Sequence, residues 1–106
     1  MIVRIWTAEA LHEDADEYRR HFHEELMPKL RSYEGFINAE ALERHGRDVK
    51  DDVEFVVITR WDSMDAIRKF TGSHEEVAVI EPDVRATLKR YDETVKLYVH
   101  VAEEWK

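Results

Sequence analysis

The hydrophobic positions at the start of the chain predict a strand followed by a long amphipathic helix. Residues 2–8 are rich in β-branched and aromatic side chains, which favour a strand. From Leu11 onward apolar residues recur every three or four positions, a spacing that places them on one face of a helix. These positions are Leu11, Ala15, Tyr18, Phe22, Leu26, Leu30 and Tyr33. We expect Pro28 to kink or interrupt the last turns, and Gly35 to end the element.

The rest of the chain predicts three further strands and shorter helical segments between them. Runs of β-branched and aromatic residues indicate the strands, and polar or Gly-containing stretches separate the elements. In chain order the segments are strands 36–45 and 53–61, a short helix 62–70 whose start is marked by the capping residues Asp62-Ser63, a mostly helical stretch 75–91 interrupted at Pro82, and a last strand 94–102.

The resulting order, βαββαβ, is that of a ferredoxin-like α+β unit, in which an antiparallel sheet carries helices on one face. Residues 55–58, however, are apolar on both sides of their strand, and the last strand places Tyr98 opposite its other apolar side chains. An exposed apolar sheet face is a large patch for a protein in water. A second copy related by a two-fold axis would cover it. We therefore expect a homodimer in which two sheets pack face to face.

Composition and charge narrow the possible partners. A chain of 106 residues is one domain by length, spanning 1–106. The net charge of -8 repels phosphate backbones and anionic lipid, so we expect neither a nucleic acid nor a membrane as partner. The sequence has no cysteine, which excludes disulfides, thiolate metal sites and a cysteine nucleophile. Because the first residues lack a signal-peptide pattern, we expect a cytoplasmic location.

The six histidines do not form a metal-ligand pattern. His21 and His23 are two residues apart on the predicted helix, roughly 200° from each other around its axis, so they cannot hold one ion. With no Cys and no His-x-x-x-His pair, we expect no metal site. Glu17 and His21 have the spacing of a surface pair on the helix.

Three segments resemble the antibiotic biosynthesis monooxygenase family, the dimeric α+β barrel group of small proteins. The resemblance runs from the first strand to the last, and its most recognisable part is Arg60-Trp61-Asp62-Ser63 followed by a short helix. The segments are GFINAE at 35–40, VVITRWDSMDAI at 56–67 and RYDETV at 90–95.

The resemblance implies a homodimer with one ligand cavity per subunit, between the sheet and the helices. Some members of the family oxidise quinol- or anthrone-like aromatic molecules with O2 and use no metal or organic cofactor. Other members bind and cleave haem, and several have no assigned reaction. Such oxidation requires a substrate that loses a proton and then passes an electron to oxygen. The protein supplies a dry aromatic pocket, a base and a donor to the anion.

Three residues are candidates for the catalytic roles. His74 follows the break at Gly72 and is the best single general base, with a merely solvated loop histidine as the alternative. Asn38 would hold a substrate oxygen or an oxyanion if it lies in the cavity; otherwise it satisfies a neighbouring backbone group or lies at the dimer interface. Trp61 is either a wall of the aromatic pocket or a lid over the start of the short helix.

Five aromatic residues are candidates for binding the substrate: Phe22, Phe36, Phe70, Tyr91 and Trp6. For each of them, packing in the core or at an interface is the alternative. The sequence does not decide which face of the first strand meets the helices. Trp6 therefore belongs either to the pocket or to the dimer interface.

The haem-degrading members of the family resemble one another in an Asn on the first strand, a Trp in the short helix and a His farther along. Thr7, Phe70 and Ile80 stand at those places here, so the chain departs from that pattern. His74 stays a candidate iron ligand from a shifted position. The alternatives to an oxygenase are a non-catalytic small-ligand binding or stress-associated dimer, and a haem-binding member.

Overall fold

A five-stranded antiparallel sheet forms the centre of the fold, and the helices lie on one of its faces. The computed structural model, which describes residues 1–48 and 50–106, confirms the ferredoxin-like α+β class. In chain order the elements are β1 (Ile2–Ala10), a 3-10 turn (His12–Asp14), α1 (Ala15–His21), a π-helical turn (Phe22–Leu26), α2 (Met27–Arg31), β2 (Phe36–Arg44), β3 (Val53–Trp61), α3 (Met64–Thr71), α4 (Pro82–Arg85), β4 (Leu88–Tyr91) and β5 (Lys96–Val99).

The first strand is the central strand of the sheet. β1 pairs with β3 along its whole length, from Ile2 opposite Trp61 to Ala10 opposite Val53. On its other edge β1 pairs with β5 over its first half and with β4 over its last three residues. β2 lies beyond β3. The two halves of β1 are therefore held by different strands on that edge.

The predicted long helix changes its hydrogen-bond pattern just before Pro28. Leu26 and Met27 both keep right-handed helical backbone angles, so the chain does not leave the helix there. Proline has no N–H to donate, and its ring crowds the carbonyl four residues earlier. The preceding π turn is wider than an α turn and relieves that crowding. The expected interruption is thus a change of helix type rather than a break.

The prediction of a mostly helical segment over residues 75–91 is wrong. α4 spans four residues, and residues 88–91 form β4 instead. The segment contains four consecutive apolar residues, Val77, Ala78, Val79 and Ile80. Because they lack the three-and-four spacing of an amphipathic helix, a helix could not place all of them on one buried face. The C-terminal half of β1 also offers an open strand edge. β4 forms its backbone hydrogen bonds by pairing with that edge. A local sequence pattern does not reveal such a long-range pairing.

The alternation of odd- and even-numbered residues along β3 shows that the two faces of the sheet differ in burial. Its odd-numbered residues, from Val53 to Trp61, are all buried under the helices, whereas its even-numbered residues are all half-buried. On β1 the buried residues are even-numbered, because Ile2 is paired with Trp61. We call these the helix side and the open side of the sheet.

The helix side contains two clusters of buried apolar residues. One surrounds Phe55 and the other surrounds Trp61. The first consists of Ala10, Ala15, Tyr18, Phe22, Val53, Phe55, Val57 and Val84, and the second of Leu30, Trp61, Ala66, Ile67 and Phe70.

The junction between β3 and α3 is fixed by local structure. Ser63 caps α3 as the sequence predicts, since its hydroxyl accepts a hydrogen bond from the Ala66 N–H at 3.2 Å. The turn at Gly35, between α2 and β2, packs against this junction, and the Gly35 carbonyl accepts a hydrogen bond from the Asp62 N–H at 2.8 Å. Gly35 has a φ of +87°, and a Cβ there would lie 2.6 Å from the Ala66 Cβ. Glycine is required at this point for both reasons.

Of the helices in the described part of the chain, none has the length and apolar character needed to cross a bilayer.

Candidate functional site

A narrow cavity lies between the helix side of the sheet, the long helix and the segment 78–84. Most of its wall is apolar and includes Trp6, Leu30, Val57, Phe70 and Ile80. Its free volume is about 60 Å³. That is well below the ~300–1,000 Å³ of pockets that hold drug-sized ligands. A planar aromatic molecule would therefore have to displace part of this wall.

The buried polar and charged residues of the described chain converge on that cavity. Arg4, His21 and Thr59 are the buried polar or charged residues of the described chain. All three line the cavity, and Tyr18, which is 2% exposed, joins them. Buried polar groups in an otherwise apolar wall are costly unless they bind something. This convergence makes the cavity the candidate site.

Arg4 is held by backbone carbonyls rather than by a carboxylate. Its Nε donates to the Glu75 carbonyl at 3.3 Å and its Nη2 to the Val77 carbonyl at 2.6 Å. Its Cζ lies 5.5 Å from the centre of the Phe70 ring. Burial lowers the pKa of Arg4 to about 10, and no acidic group opposes that shift. The guanidinium is still positively charged at neutral pH.

His21 enters the site with its orientation set by Glu25. The His21 Nδ1 lies within hydrogen-bond distance of the Glu25 carboxylate, one helical turn away. Because a carboxylate only accepts, this bond assigns a proton to Nδ1, and in the neutral imidazole Nε2 is then the acceptor. The expected pairing of His21 with Glu17 is wrong, since Glu17 forms its ion pair with Arg20.

Two hydroxyl groups complete the polar lining. The Thr59 Oγ1 accepts a hydrogen bond from the Trp61 Nε1 at 2.9 Å, so its own proton is free to be donated. Burial raises the pKa of the Tyr18 phenol, and no hydrogen bond contributes to that shift. Tyr18 is therefore a neutral donor over the physiological pH range.

Two surface carboxylates near the cavity, those of Glu25 and Glu81, are already partnered. Lys29 and Glu81, both in the lining, form an ion pair at 3.4 Å. Ligand atoms of Glu25, Glu81 and Asp83 lie within 4.8 Å of one another, but Glu25 holds His21 and Glu81 holds Lys29. This cluster is an acidic surface group and does not converge on an enclosed position.

A second, wider groove of about 330 Å³ lies between the long helix and β2. Phe22 and Phe55 form part of its wall, and Arg19 and Glu43 form an ion pair beside them. Because those charges satisfy each other and Arg19 and Glu43 are not buried, this groove lacks the buried polar residues of the first cavity.

The structure brings two of the predicted substrate-binding residues into the cavity. Trp6 lies on the helix side of β1, where its Nε1 donates to the Asp92 carbonyl at 2.6 Å. Phe70 lines the same cavity from α3. The open question about Trp6 is thus decided by the sheet pairing, which places it beside Val57 and away from the open side. Phe22 lines the second groove.

Trp61 and Phe36 lie behind the cavity wall in an aromatic cluster. The Trp61 ring is 0% exposed, stacks on Phe70 with centroids 5.3 Å apart, and meets the edge of Phe36 at 5.3 Å. Trp61 reaches the cavity through Thr59, which accepts its indole N–H, and through Phe70. Trp61 therefore supports two residues of the cavity wall, Thr59 and Phe70, without lining the cavity itself.

Asn38, His74 and Tyr91 lie outside the cavity. Asn38 is exposed on β2, and its Oδ1 accepts from the Arg60 Nη1 at 3.1 Å on the open side of the sheet. His74 is exposed in the loop after α3. Tyr91 is half-buried on β4, with Arg85 above its ring. The three catalytic candidates do not converge, because Asn38 and Trp61 are on opposite faces of the sheet and His74 faces solvent.

Sequence reasoning missed Arg4, Tyr18, His21 and Thr59 as parts of one site. The signal for Arg4 was its place between Ile2 and Trp6 on one face of an apolar strand. Tyr18 and His21 stand one turn apart on the apolar side of the helix, which places them together but does not show what lies opposite. That requires the packing of the helix on β1 and β3.

Solved structures with the same fold include members of one named family. A Bacillus cereus protein provisionally assigned to the antibiotic biosynthesis monooxygenases matches with a TM-score of 0.68 and 22% identity, over 99% of this chain and 95% of that chain. A mutant of SnoaB, a cofactor-independent oxygenase from Streptomyces nogalater, matches with a TM-score of 0.66 and 16% identity, over 96% and 95%. At these identities the likeness concerns the fold alone.

No curated protein sequence matches the chain significantly. The model of the family described as antibiotic biosynthesis monooxygenase matches residues 1–90, which is most of the chain. The match contains the first two of the three segments, 35–40 and 56–67, and the expected family is confirmed: the chain belongs to the antibiotic biosynthesis monooxygenase family.

Proposed function

We propose that this protein is a cofactor-independent monooxygenase that oxidises a quinol- or anthrone-like aromatic molecule with O2 in the cavity between sheet and helices. The observation that carries the proposal is the convergence of Arg4, His21 and Thr59 on one apolar-walled cavity. The family and the neighbouring SnoaB fold support the same reaction class. No metal or organic cofactor is needed in this proposal, because the deprotonated substrate is itself the reductant of O2.

His21 is the proposed general base. Its Nδ1 proton is held by Glu25, so Nε2 is the nitrogen that takes a proton from the substrate. The carboxylate then stabilises the imidazolium that forms, because it is one turn away on the same helix. This arrangement resembles other histidine bases that are oriented by an acidic partner.

The hydroxyls of Tyr18 and Thr59 are the proposed donors to the substrate oxygen. Both are neutral donors in a wall from which water is largely excluded, where a hydrogen bond to a developing anion is strong. Trp61 is a positioning residue in this scheme, since its indole N–H occupies the acceptor side of Thr59 and so directs the hydroxyl proton elsewhere.

The proposed reaction balances without an added reductant. Loss of a proton gives a substrate carbanion or phenolate, which passes one electron to O2. The resulting radical and superoxide join at carbon to give a peroxide anion, which takes the proton back from the His21 imidazolium and becomes a hydroperoxide. Loss of the remaining proton on that carbon, with cleavage of the O–O bond, then gives a carbonyl group and releases water. For an anthrone-like substrate, the ring methylene group and one molecule of O2 give a carbonyl group and one molecule of water.

Entry of such a substrate requires the wall at residues 78–81 to move. The neighbouring stretch is tied down by Arg4, by the Ala78 N–H bond to the Glu93 carbonyl and by the Val95 N–H bond to the Glu76 carbonyl. Val79 and Ile80 lie beyond these bonds and contribute apolar surface. They are the part of the wall whose displacement breaks the fewest hydrogen bonds.

The proposed enzyme is a homodimer formed through the open side of the sheet. Half-buried and exposed apolar residues form a continuous patch there, across β2, β3, β1 and β5: Leu42, Val56, Ile58, Ile5, Val3 and Tyr98. Leu42 and Tyr98 are each about half exposed, at 49% and 48%. A two-fold partner would bury the same patch on both copies. A cytoplasmic location is part of the same proposal.

Oxygen uptake tests the reaction. Dithranol and a hydroquinone are supplied to the purified protein, and O2 consumption and incorporation of 18O from 18O2 into the product are measured. We expect His21→Asn to lower the rate by about a hundred-fold or more. The matched control is His23→Asn, because His23 is exposed and two residues along the same helix.

Two outcomes would contradict the oxygenase. One is the absence of uptake above autoxidation across the panel by a correctly folded protein. The other is equal loss of rate in His21→Asn and His23→Asn. Saturable binding of the same compounds without O2 uptake would identify a binding protein, the alternative function.

A further inference from the structure

We infer that the cavity selects aromatic ligands that carry a carboxylate, and that Arg4 is the residue that binds this group. The inference deepens the proposed function by naming the substrate class, and it rests on the same cavity. Its starting point is a buried positive charge whose counter-charge is not found among the described residues.

Among the basic residues of the cavity wall, Arg4 is the one without a carboxylate partner in the described chain. Lys29 is neutralised by Glu81, and His21 is bound to Glu25. Arg4, which is 6% exposed, has two backbone carbonyls and the face of Phe70 as its partners. These groups accept hydrogen bonds or offer a polarised ring, but none carries a negative charge. A cation enclosed without an anion is costly, and a bound anion removes that cost.

The geometry of the guanidinium selects the type of anion. Nε and one N–H of Nη2 form one edge of the group, and this edge is used by the Glu75 and Val77 carbonyls. The adjacent edge, formed by Nη1 and the second N–H of Nη2, presents two parallel donors without a hydrogen-bonded partner in the described chain. Two parallel N–H donors match the two oxygens of a carboxylate.

That free edge is accessible to a ligand. Arg4 Nη1 has no hydrogen-bond partner, yet it is not among the fully enclosed unpartnered side-chain atoms of residues 1–48 and 50–106, so it keeps some accessible surface. Arg4 lines the cavity, and Phe70 and Trp6 line it as well. A carboxylate bound at Arg4 therefore places its aromatic ring among aromatic and aliphatic side chains.

The backbone carbonyls that Arg4 holds belong to the loop next to the movable wall. Val77 directly precedes Ala78 and Val79, which line the cavity. Arg4 therefore connects a bound ligand to the segment that adjoins the part of the wall that must open for a ring to enter. A permanently anionic group suits this role because it compensates the charge before any proton is removed.

Matched acid and amide ligands test the inference. Isothermal titration calorimetry is carried out with benzoate against benzamide, and with 2-naphthoate against 2-naphthamide as a larger pair. We expect the acid to bind about ten-fold or more tightly than its amide in the unaltered protein. In Arg4→Gln the preference should fall to about one, and in Arg4→Lys it should be partly kept, because the charge remains without the two parallel donors.

Arg60→Gln is the control variant. Arg60 lies on the open side of the same sheet and is paired with Glu40 and Asn38, so its loss should leave the acid preference unchanged. If Arg4→Gln does not fold, thermal unfolding of the unaltered protein decides the question. Benzoate should then raise the midpoint more than benzamide at equal concentration.

Several results would overturn the inference: equal affinity for acid and amide, a preference that survives in Arg4→Gln, or no binding by any of the four compounds. Because the titrations require no turnover, they are independent of the oxygenase proposal. Acid preference without O2 uptake would support the carboxylate inference and contradict the oxygenase proposal. O2 uptake from neutral substrates without acid preference would support the oxygenase proposal and contradict the carboxylate inference.

Discussion

The two faces of the sheet carry the same kind of residue in different environments, and the pair Arg4 and Arg60 shows the difference. Arg60, on the open side, binds the Glu40 carboxylate at 2.9 Å and the Asn38 amide oxygen at 3.1 Å. Arg4, on the helix side, is enclosed and has backbone carbonyls in place of a carboxylate. A charge that is paired within the chain serves the fold, whereas an enclosed charge without a counter-ion points to a ligand.

The apolar residues differ between the faces in the same way. On β3 the helix-side residues are buried within one subunit, and their open-side neighbours are half-buried. The helix side is therefore buried within a single chain, while the open side leaves apolar surface exposed, which is the surface that the proposed dimer would cover. Substitutions at neighbouring positions of β3 separate these two roles.

The largest effect is expected for the aromatic centre of the helix side. Trp61→Ala should lower the free energy of unfolding by about 3–5 kcal/mol, because the ring is fully buried between Phe36 and Phe70. The measurement is urea unfolding at fixed protein concentration. Trp105→Ala is the control, since Trp105 is 87% exposed and its loss should stay within about 0.5 kcal/mol. Similar losses in both variants would refute the assignment of Trp61 to the core.

The next effect concerns the open side. Ile58→Asp should weaken self-association by about a hundred-fold or more, because each copy would bring a carboxylate into an apolar interface. Sedimentation velocity at micromolar protein measures the change from dimer to monomer, and circular dichroism checks the fold. Ile58→Val should remain a dimer. A monomeric unaltered protein would remove the proposed interface.

A smaller difference is expected between two threonines that lie on opposite faces. Thr59→Val leaves the buried Trp61 indole N–H without its acceptor and should cost about 1–3 kcal/mol. Thr7→Val breaks the Thr7 bond to the Asp92 carboxylate, which is 43% exposed and can bind water instead, so the cost should be under about 1 kcal/mol. Urea unfolding compares the two, and the reverse order would contradict the difference between the faces.

The smallest effect is a pH dependence at Tyr18. Burial raises the pKa of the Tyr18 phenol above its ordinary value of 10.0, so above pH 10 the unfolded chain loses a proton that the folded protein keeps. Stability therefore falls as pH rises above about 10, and it is unaffected by this group at lower pH.

Tyr18→Phe should remove this component. Between pH 8 and pH 10.5 the unaltered protein should lose about 0.8 kcal/mol more than the variant, measured by urea unfolding at both values. Identical losses would show that Tyr18 titrates in the folded protein as it does in the unfolded chain.

The fold was predictable from the sequence because local patterns specify its elements. β-branched runs indicated the strands, a three-and-four spacing indicated the long helix, and Ser63 marked the start of α3. The prediction failed over residues 75–91, where β4 forms by pairing with an edge of β1 that is distant in sequence. Long-range pairing leaves no periodic signature in such a short segment.

The candidate site was less predictable, because its residues come together only through packing. Trp6 and Phe70 were identified as aromatic residues, and they line the cavity. His74 was chosen for its chemistry, yet the buried imidazole is that of His21. Chemical type alone does not distinguish an exposed histidine from one enclosed between a helix and a sheet.

The sequence by itself determined the element types outside residues 75–91, the ferredoxin-like order and the family, because periodicity, turn residues and short motifs are local properties of the chain. Only the tertiary structure decided which face of β1 meets the helices. That choice depends on the register with β3, where a shift of one residue would exchange the two faces. Arg4 and Trp6 are in the cavity as a result of that register.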